Sequence, residues 1–163
     1  GVDAVFVHPR FFSEKLKRLA RWELFEWIAS ITVVPVIANG DIVSAQQIQD
    51  KASLLERVAG LMVGRMAIVK PWIFRELSGN KPACDYAVVW KDFFSYVLED
   101  FPPERAIGRI KEFSKYFAQN FLFGHELYRG IQGASSLELI NERAVRFLGG
   151  HPGITKYPAV VGL

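Results

Sequence analysis

Short apolar runs alternate with amphipathic stretches over the first half of the chain. The apolar runs span residues 2–7, 33–38 and 59–63. Amphipathic segments lie between them, from about Ser13 to Ile31 and from Ser44 to about Arg57, and Ser44 is predicted to cap its helix with Gln47 as the capping-box partner. Strands that are apolar on both faces and separated by helices are typical of a parallel sheet covered on both sides. The pattern predicts three βα units of an α/β fold.

The pattern changes at a polar segment rich in Gly and Pro, residues 78–82, which is typical of a linker. Everything after it is predicted to be helical, at about 86–100, 103–121, 125–131 and 135–148. The mostly apolar tail, residues 149–163, contains several Gly and Pro and is predicted to be coil. We therefore expect two domains, an α/β domain over residues 1–80 and an all-α helical bundle with a C-terminal tail over residues 81–163.

Composition excludes several classes of protein. The 163 residues are 50% hydrophobic and 23% charged, which is ordinary for a globular protein. No apolar run reaches the roughly 18 residues of a membrane span. Cys84 is the only cysteine, which excludes an internal disulfide and a cysteine-based metal site. We expect a cytoplasmic protein without metal or membrane association.

Basic residues are concentrated in two places, although the net charge is only +3. The first is the segment after the first apolar run, which contains Arg10, Lys15, Lys17, Arg18 and Arg21. The second is one arc of the helix predicted from residue 103, opposite an apolar face, and it contains Arg105, Arg109, Lys111 and Lys115. This arc is either a solvated outer face or a surface that neutralises RNA phosphates.

Polar or glycine-rich residues follow each predicted strand. They are His8-Pro9-Arg10, Asn39-Gly40-Asp41 and Gly64-Arg65. Catalytic groups and ligands lie at the carboxyl ends of strands in parallel α/β folds. Glycine lets a backbone approach a phosphate closely, so two such ends one βα unit apart favour a phosphate-binding site over two ordinary turns.

These motifs resemble those of the tRNA-dihydrouridine synthases. The stretch 34–42, with Asn39-Gly40-Asp41, is similar to the seventh-strand signature of that family. Residues 60–67 with Pro71-Trp72-Ile73-Phe74 are similar to the eighth strand and its helix, and His8 and Arg10 match a His-x-Arg motif after the sixth. The resemblance implies the last three βα units of a (β/α)8 TIM barrel followed by a helical tRNA-binding domain.

The resemblance also implies roles for individual residues. FMN would be bound by His8, Asn39, Gly40, Gly64 and Arg65, whereas Asp41 would brace the loop. The tRNA would be contacted by Arg10, Lys15, Arg18, Arg21, Arg109, Lys111 and Lys115. Pro9 stands where the family more often has Gly, and it removes one backbone donor.

The activity implied by the resemblance is reduction of a tRNA uridine to 5,6-dihydrouridine with FMN, using NADPH, in an enzyme expected to be monomeric when complete. Its acid cysteine and a flavin-binding lysine would precede Gly1, so we expect no catalytic residue in this chain and no activity from it alone; Cys84 is expected to be a packing residue. Two alternatives stay open. One is another FMN-binding TIM-barrel oxidoreductase that acts on a small molecule, and the other is a non-catalytic RNA-binding module.

Overall fold

The computed structural model describes residues 1–14, 18–80, 84–156 and 158. These residues form two compact units. The first contains the described residues up to 67 together with 73–80, and the second contains 68–72 and the described residues from 84 to 158. Within the described parts of the chain, no helix combines the length and the apolar character that crossing a membrane requires.

A three-stranded parallel sheet forms the centre of the first unit. Its strands are β1 (Val5–Val7), β2 (Val36–Asn39) and β3 (Gly60–Met62), and β2 lies in the middle. Val5 pairs with Val36 and Ile37 with Gly60, so the three strands end at the same edge of the sheet. The predicted α/β class and the parallel order are confirmed.

The first unit also contains helices α1 (Leu24–Ile31), α2 (Ala45–Asp50), the start of α3 (Met66–Val69) and α4 (Ile73–Leu77), with 3-10 turns at 12–14 and 52–55. Helix α1 is much shorter than the amphipathic stretch predicted from Ser13. The backbone N–H of Ala20 donates to the Asp41 carboxylate at 2.7 Å, and that of Arg21 donates to the Pro9 carbonyl at 2.8 Å. Because these donors are bound to acceptors outside the segment 13–31, the helix begins only at Leu24.

The predicted cap of α2 is confirmed, with one change. The Ser44 hydroxyl accepts a hydrogen bond from the backbone N–H of Gln47 at 3.1 Å. The Gln47 side chain returns to the N–H of Val43 at 2.9 Å, one residue before the donor that a capping box uses. Its amide nitrogen is thereby free to donate to the carbonyl of Asp41 at 2.8 Å.

The second unit consists of α5 (Tyr86–Asp100), α6 (Pro103–Phe117), a 3-10 turn at 118–120, α7 (Gly124–Gln132) and α8 (Leu137–Gly149). Asp85 caps α5 by accepting from two backbone N–H groups. The apolar face predicted for α6 is confirmed, because its residues are buried, apart from one that is half-buried: Ala106, Ile107, Ile110, Phe113, Phe117 and Phe121. Trp90, 1% exposed, packs against this face.

Residues 68–72 belong to the second unit, although the sequence analysis places them in the first domain. The buried Asn120 side chain donates to the Val69 carbonyl at 2.6 Å. The Trp72 ring packs edge-on against Tyr86, with 5.3 Å between the ring centroids. Because Val69 and Trp72 contact residues of the helical core, the segment 68–72 groups with residues up to about 50 positions later in the chain.

Candidate functional site

A small cleft of about 60 Å³ lies at the carboxyl edge of the sheet. It is lined by His8, Asn39, Gly40, Asp41, Ile42, Gly64, Arg65 and Met66. All the residues that the sequence analysis assigns to cofactor binding are therefore brought together, from the ends of three different strands. They meet because the strands are parallel and in register.

The turn after β2 has an unusual backbone that only a few residue types tolerate. Gly40 has φ +117° and Asp41 has φ +54°. A Cβ atom at Gly40 would lie 2.7 Å from the Cβ of Ala20 and 3.1 Å from the His8 ring, so a larger residue is excluded here. Left-handed backbone costs about 1 kcal/mol or more at a residue other than glycine, so neighbouring contacts must stabilise it.

Those contacts converge on Asp41. Its carboxylate accepts from Arg10 Nη2 and from the Ala20 N–H, each at 2.7 Å. The side chains of Arg10 and Asp41 are only 5% and 8% exposed. Asp41 thus braces the turn, and its negative charge is compensated although it borders the cleft. Arg10 is held inside the protein by this pair, whereas the resemblance implies a tRNA contact for it.

The exit of β3 is fixed from the neighbouring strand. The Asn39 side-chain amide donates to the Met62 carbonyl at 2.9 Å, just before the chain turns through Gly64. A Cβ atom at Gly64 would have no atom of the described residues within 4 Å. Open space at this glycine, beside the crowded Gly40, leaves room for a ligand to approach the backbone.

Two basic side chains border the cleft. His8 is exposed at the end of β1, and Arg65 follows Gly64. The Nη1 atom of Arg65 is buried and has no hydrogen-bond partner among the described residues. A buried guanidinium nitrogen without a partner is costly, and an anionic ligand in the cleft would supply one.

The basic residues after β1 differ in their surroundings. Arg21 forms two hydrogen bonds with the Glu14 carboxylate and lies 4.5 Å above the Phe11 ring. The hydrogen bond from Arg21 holds the pKa of Glu14 below its usual value of 4.5. Arg18 is exposed, and Lys15 lies outside the described residues.

The basic arc of α6 is only partly exposed. Lys111 Nζ donates to the Gln132 carbonyl at the end of α7 at 2.9 Å, which places a cation at a helix carboxyl terminus. Arg109 is 59% exposed and lies 3.6 Å from Glu112, and Lys115 lies 5.9 Å from the Tyr116 ring centroid. Lys111 is thus engaged in helix packing, whereas Arg109 is open to solvent.

Cys84 is a free, half-buried thiol at the start of the second unit. Burial, assisted by the negative charge of Asp85, raises the pKa of this thiol to about 11. A thiol with that pKa is almost entirely protonated at neutral pH and is a poor nucleophile.

Trp22 stabilises the turn that borders the cleft, and its role was not predicted from the sequence. Trp22 is 3% exposed, and its indole N–H donates to the Gly40 carbonyl at 2.9 Å. A tryptophan beside an amphipathic helix predicts core packing, and the sequence carries no sign that its N–H reaches a turn 18 residues later.

Known proteins of one family are similar to this chain. A family model described as dihydrouridine synthase matches residues 1–114. The chain is 35% identical over 104 residues to "tRNA-dihydrouridine(47) synthase [NAD(P)(+)]-like" of Xenopus laevis, which covers 61% of this chain and 16% of that protein. It is 28% identical over 164 residues to "tRNA-dihydrouridine(47) synthase [NAD(P)(+)]" of Coprinopsis cinerea, covering 91% and 24%, respectively.

A bacterial relative, "Probable tRNA-dihydrouridine synthase" of Aquifex aeolicus, is 30% identical over 100 residues, covering 61% of this chain and 30% of that protein. The chain thus spans less than a third of the length of each of these relatives. The match of the family model extends from the sheet through most of α6. The chain belongs to the dihydrouridine synthase family.

Proposed function

We propose that this chain supplies the FMN phosphate site and part of the RNA-binding surface of an enzyme that reduces uridine to 5,6-dihydrouridine in tRNA. The observation that carries the proposal is the cleft where Arg65 has a buried nitrogen without a partner among the described residues, next to the open Gly64. Membership of the family and the names of its relatives support the reaction. The sheet would be the last part of a TIM barrel, and α5–α8 its helical domain.

The residues of the cleft fit a flavin phosphate. The backbones at Gly40 and Gly64 would donate hydrogen bonds to the phosphate oxygens, and the Arg65 guanidinium would compensate the charge. His8 would contact the polar edge of the flavin, and Asn39 would hold the two strand ends at the right separation. A bound FMN would supply hydride-transfer chemistry toward the uracil ring, with NADPH as the reductant.

RNA binding is proposed for the exposed cations. Arg18 and Arg109 are exposed and Lys115 is half-buried, so they can reach phosphates. The other described cations predicted to bind tRNA donate hydrogen bonds to a carboxylate or a helix carbonyl, and using them would break those hydrogen bonds. An enzyme of this kind recognises RNA largely by shape and acts on a base taken out of its stack.

The test uses the protein expressed from its complete reading frame. Its visible absorption spectrum is expected to show bound flavin, and tRNA incubated with it and NADPH is expected to gain dihydrouridine, measured by mass spectrometry of nucleosides. A folded protein without flavin would refute the proposal and favour a non-catalytic RNA-binding module. Bound flavin with reduction of a free pyrimidine but not of tRNA would favour the small-molecule oxidoreductase.

A further inference from the structure

The turn at Gly40 and Asp41 is held by hydrogen bonds from the segment that follows β1. Besides Arg10, this segment contributes the N–H of Ala20 to the Asp41 carboxylate and the indole N–H of Trp22 to the Gly40 carbonyl. The contact is close, because Ala20 leaves no room for a Cβ atom at Gly40.

The Trp22 hydrogen bond sets the orientation of one peptide group. The C=O of Gly40 and the N–H of Asp41 belong to the same planar trans peptide and point in opposite directions. Trp22 holds the carbonyl toward the apolar cluster that contains Phe25, Ala38 and Ile42. The N–H of the same peptide is therefore directed away from that cluster.

We infer that Trp22 is a positioning residue for the flavin phosphate, acting through the Gly40 carbonyl to keep the turn in its phosphate-binding conformation. The inference rests on the proposed function. The turn has left-handed backbone at two successive residues, so less strained conformations compete with it. The affinity for FMN is proportional to the fraction of molecules whose turn is in the conformation that binds phosphate. Removing one hydrogen bond that favours this conformation is expected to weaken FMN binding about 5- to 10-fold.

The variant Trp22→Phe removes the indole N–H and keeps a large aromatic ring. Trp90→Phe is the matched control, since Trp90 is similarly buried and its indole N–H bonds to Asn141 at 3.2 Å within the helical unit. Apoproteins expressed from the complete reading frame would be titrated with FMN and with riboflavin, which lacks the phosphate. The ratio of the two dissociation constants reports the phosphate contribution, and the 31P resonance of bound FMN reports its environment directly.

We expect Trp22→Phe to lower the ratio of the riboflavin dissociation constant to the FMN dissociation constant about 5- to 10-fold and to shift the 31P resonance of bound FMN. Trp90→Phe is expected to change neither. Equal weakening of both ligands, or an unchanged ratio and resonance, would overturn the role of Trp22. A wild-type protein that binds no FMN, or binds riboflavin equally well, would instead overturn the proposed function. If Trp22→Phe does not melt cooperatively, hydrogen exchange of the Trp22 indole N–H in the wild-type protein replaces it. FMN is expected to slow this exchange more than riboflavin does, and equal slowing by both ligands would overturn the role of Trp22.

Discussion

Gly64 lines the cleft and tolerates a larger side chain as far as the described residues are concerned. No atom of those residues lies within 4 Å of the position of its Cβ, and its φ is not in the left-handed region. The variant Gly64→Val is therefore expected to change the free energy of unfolding by less than about 0.5 kcal/mol, as is usual for sites without packing or backbone constraints.

Flavin binding is expected to respond very differently. The valine methyl groups would occupy the space that a phosphate oxygen needs near the backbone, and a charge-assisted hydrogen bond is worth about 1.5–3 kcal/mol. Loss of one such bond corresponds to a dissociation constant for FMN about 10- to 150-fold higher. Fluorescence titration with FMN measures this change, and thermal unfolding of the apoprotein measures the stability.

Gly108→Val provides the control. Gly108 lies on the exposed side of α6, and a Cβ atom there would also have no atom of the described part of the chain within 4 Å. Valine is a slightly better helix former than glycine, so this variant is expected to be as stable as the wild type or more so and to bind FMN normally. Wild-type FMN affinity in a folded Gly64→Val protein would refute the phosphate site. A loss of stability as large as the loss of affinity would show instead that Gly64 is needed by the fold.

Four further outcomes follow from charges outside the cleft. Cys84 is expected to react with iodoacetamide about 100-fold more slowly than free cysteine at pH 8, because its pKa of about 11 leaves little thiolate, and a rate equal to that of free cysteine would contradict this. The hydrogen bond from Arg21 lowers the pKa of Glu14 in the folded protein. The pair therefore contributes stability above pH 4.5, and this contribution is lost as the pH falls through the folded pKa. The melting temperature of Glu14→Gln should approach that of the wild type only in acid. Lys111→Met is expected to destabilise the protein by about 1 kcal/mol in chemical denaturation, because the carbonyl at the end of α7 loses its cation. Arg109→Ala should leave stability unchanged and should reduce the slope of log tRNA affinity against log salt concentration by about one phosphate contact. An unchanged slope would argue against a phosphate contact at Arg109.

The sequence predicts those features of the fold that depend on local chemistry. Apolar runs predict the three strands, although each strand is shorter in the structure, and in the first two runs pairing is confined to the carboxyl end. The bounds of α5 agree with the prediction, since Asp85 caps its start and Pro102 follows its end closely. The grouping of the cleft residues is also predictable, because parallel strands end at one edge of a sheet.

Contacts between distant residues limit the prediction elsewhere. The amphipathic pattern from Ser13 is compatible with a helix, but Asp41 captures the N–H of Ala20 from 21 residues away. In the same way, Arg10 and Lys111 have the positive charge expected of RNA contacts, but each is bound to a partner far away in the sequence, at a separation of 31 and 21 residues, respectively. Helical periodicity reports which face of a segment is apolar, but it carries no information about which distant carboxylate or carbonyl a cation meets.

The two arginines that follow strands show how such contacts divide similar residues between different tasks. Arg10 also leaves Nε and Nη1 without partners among the described residues, but its side chain is 5% exposed and its Nη2 is bound to Asp41. Arg10 compensates the negative charge of the Asp41 carboxylate, which borders the cleft and would otherwise repel a phosphate. Arg65 lines the cleft and has a buried Nη1 atom without a partner among the same residues. Of these two arginines, Arg65 is therefore the one whose positive charge is available to an anion in the cleft, and Arg10 contributes by cancelling the negative charge of Asp41.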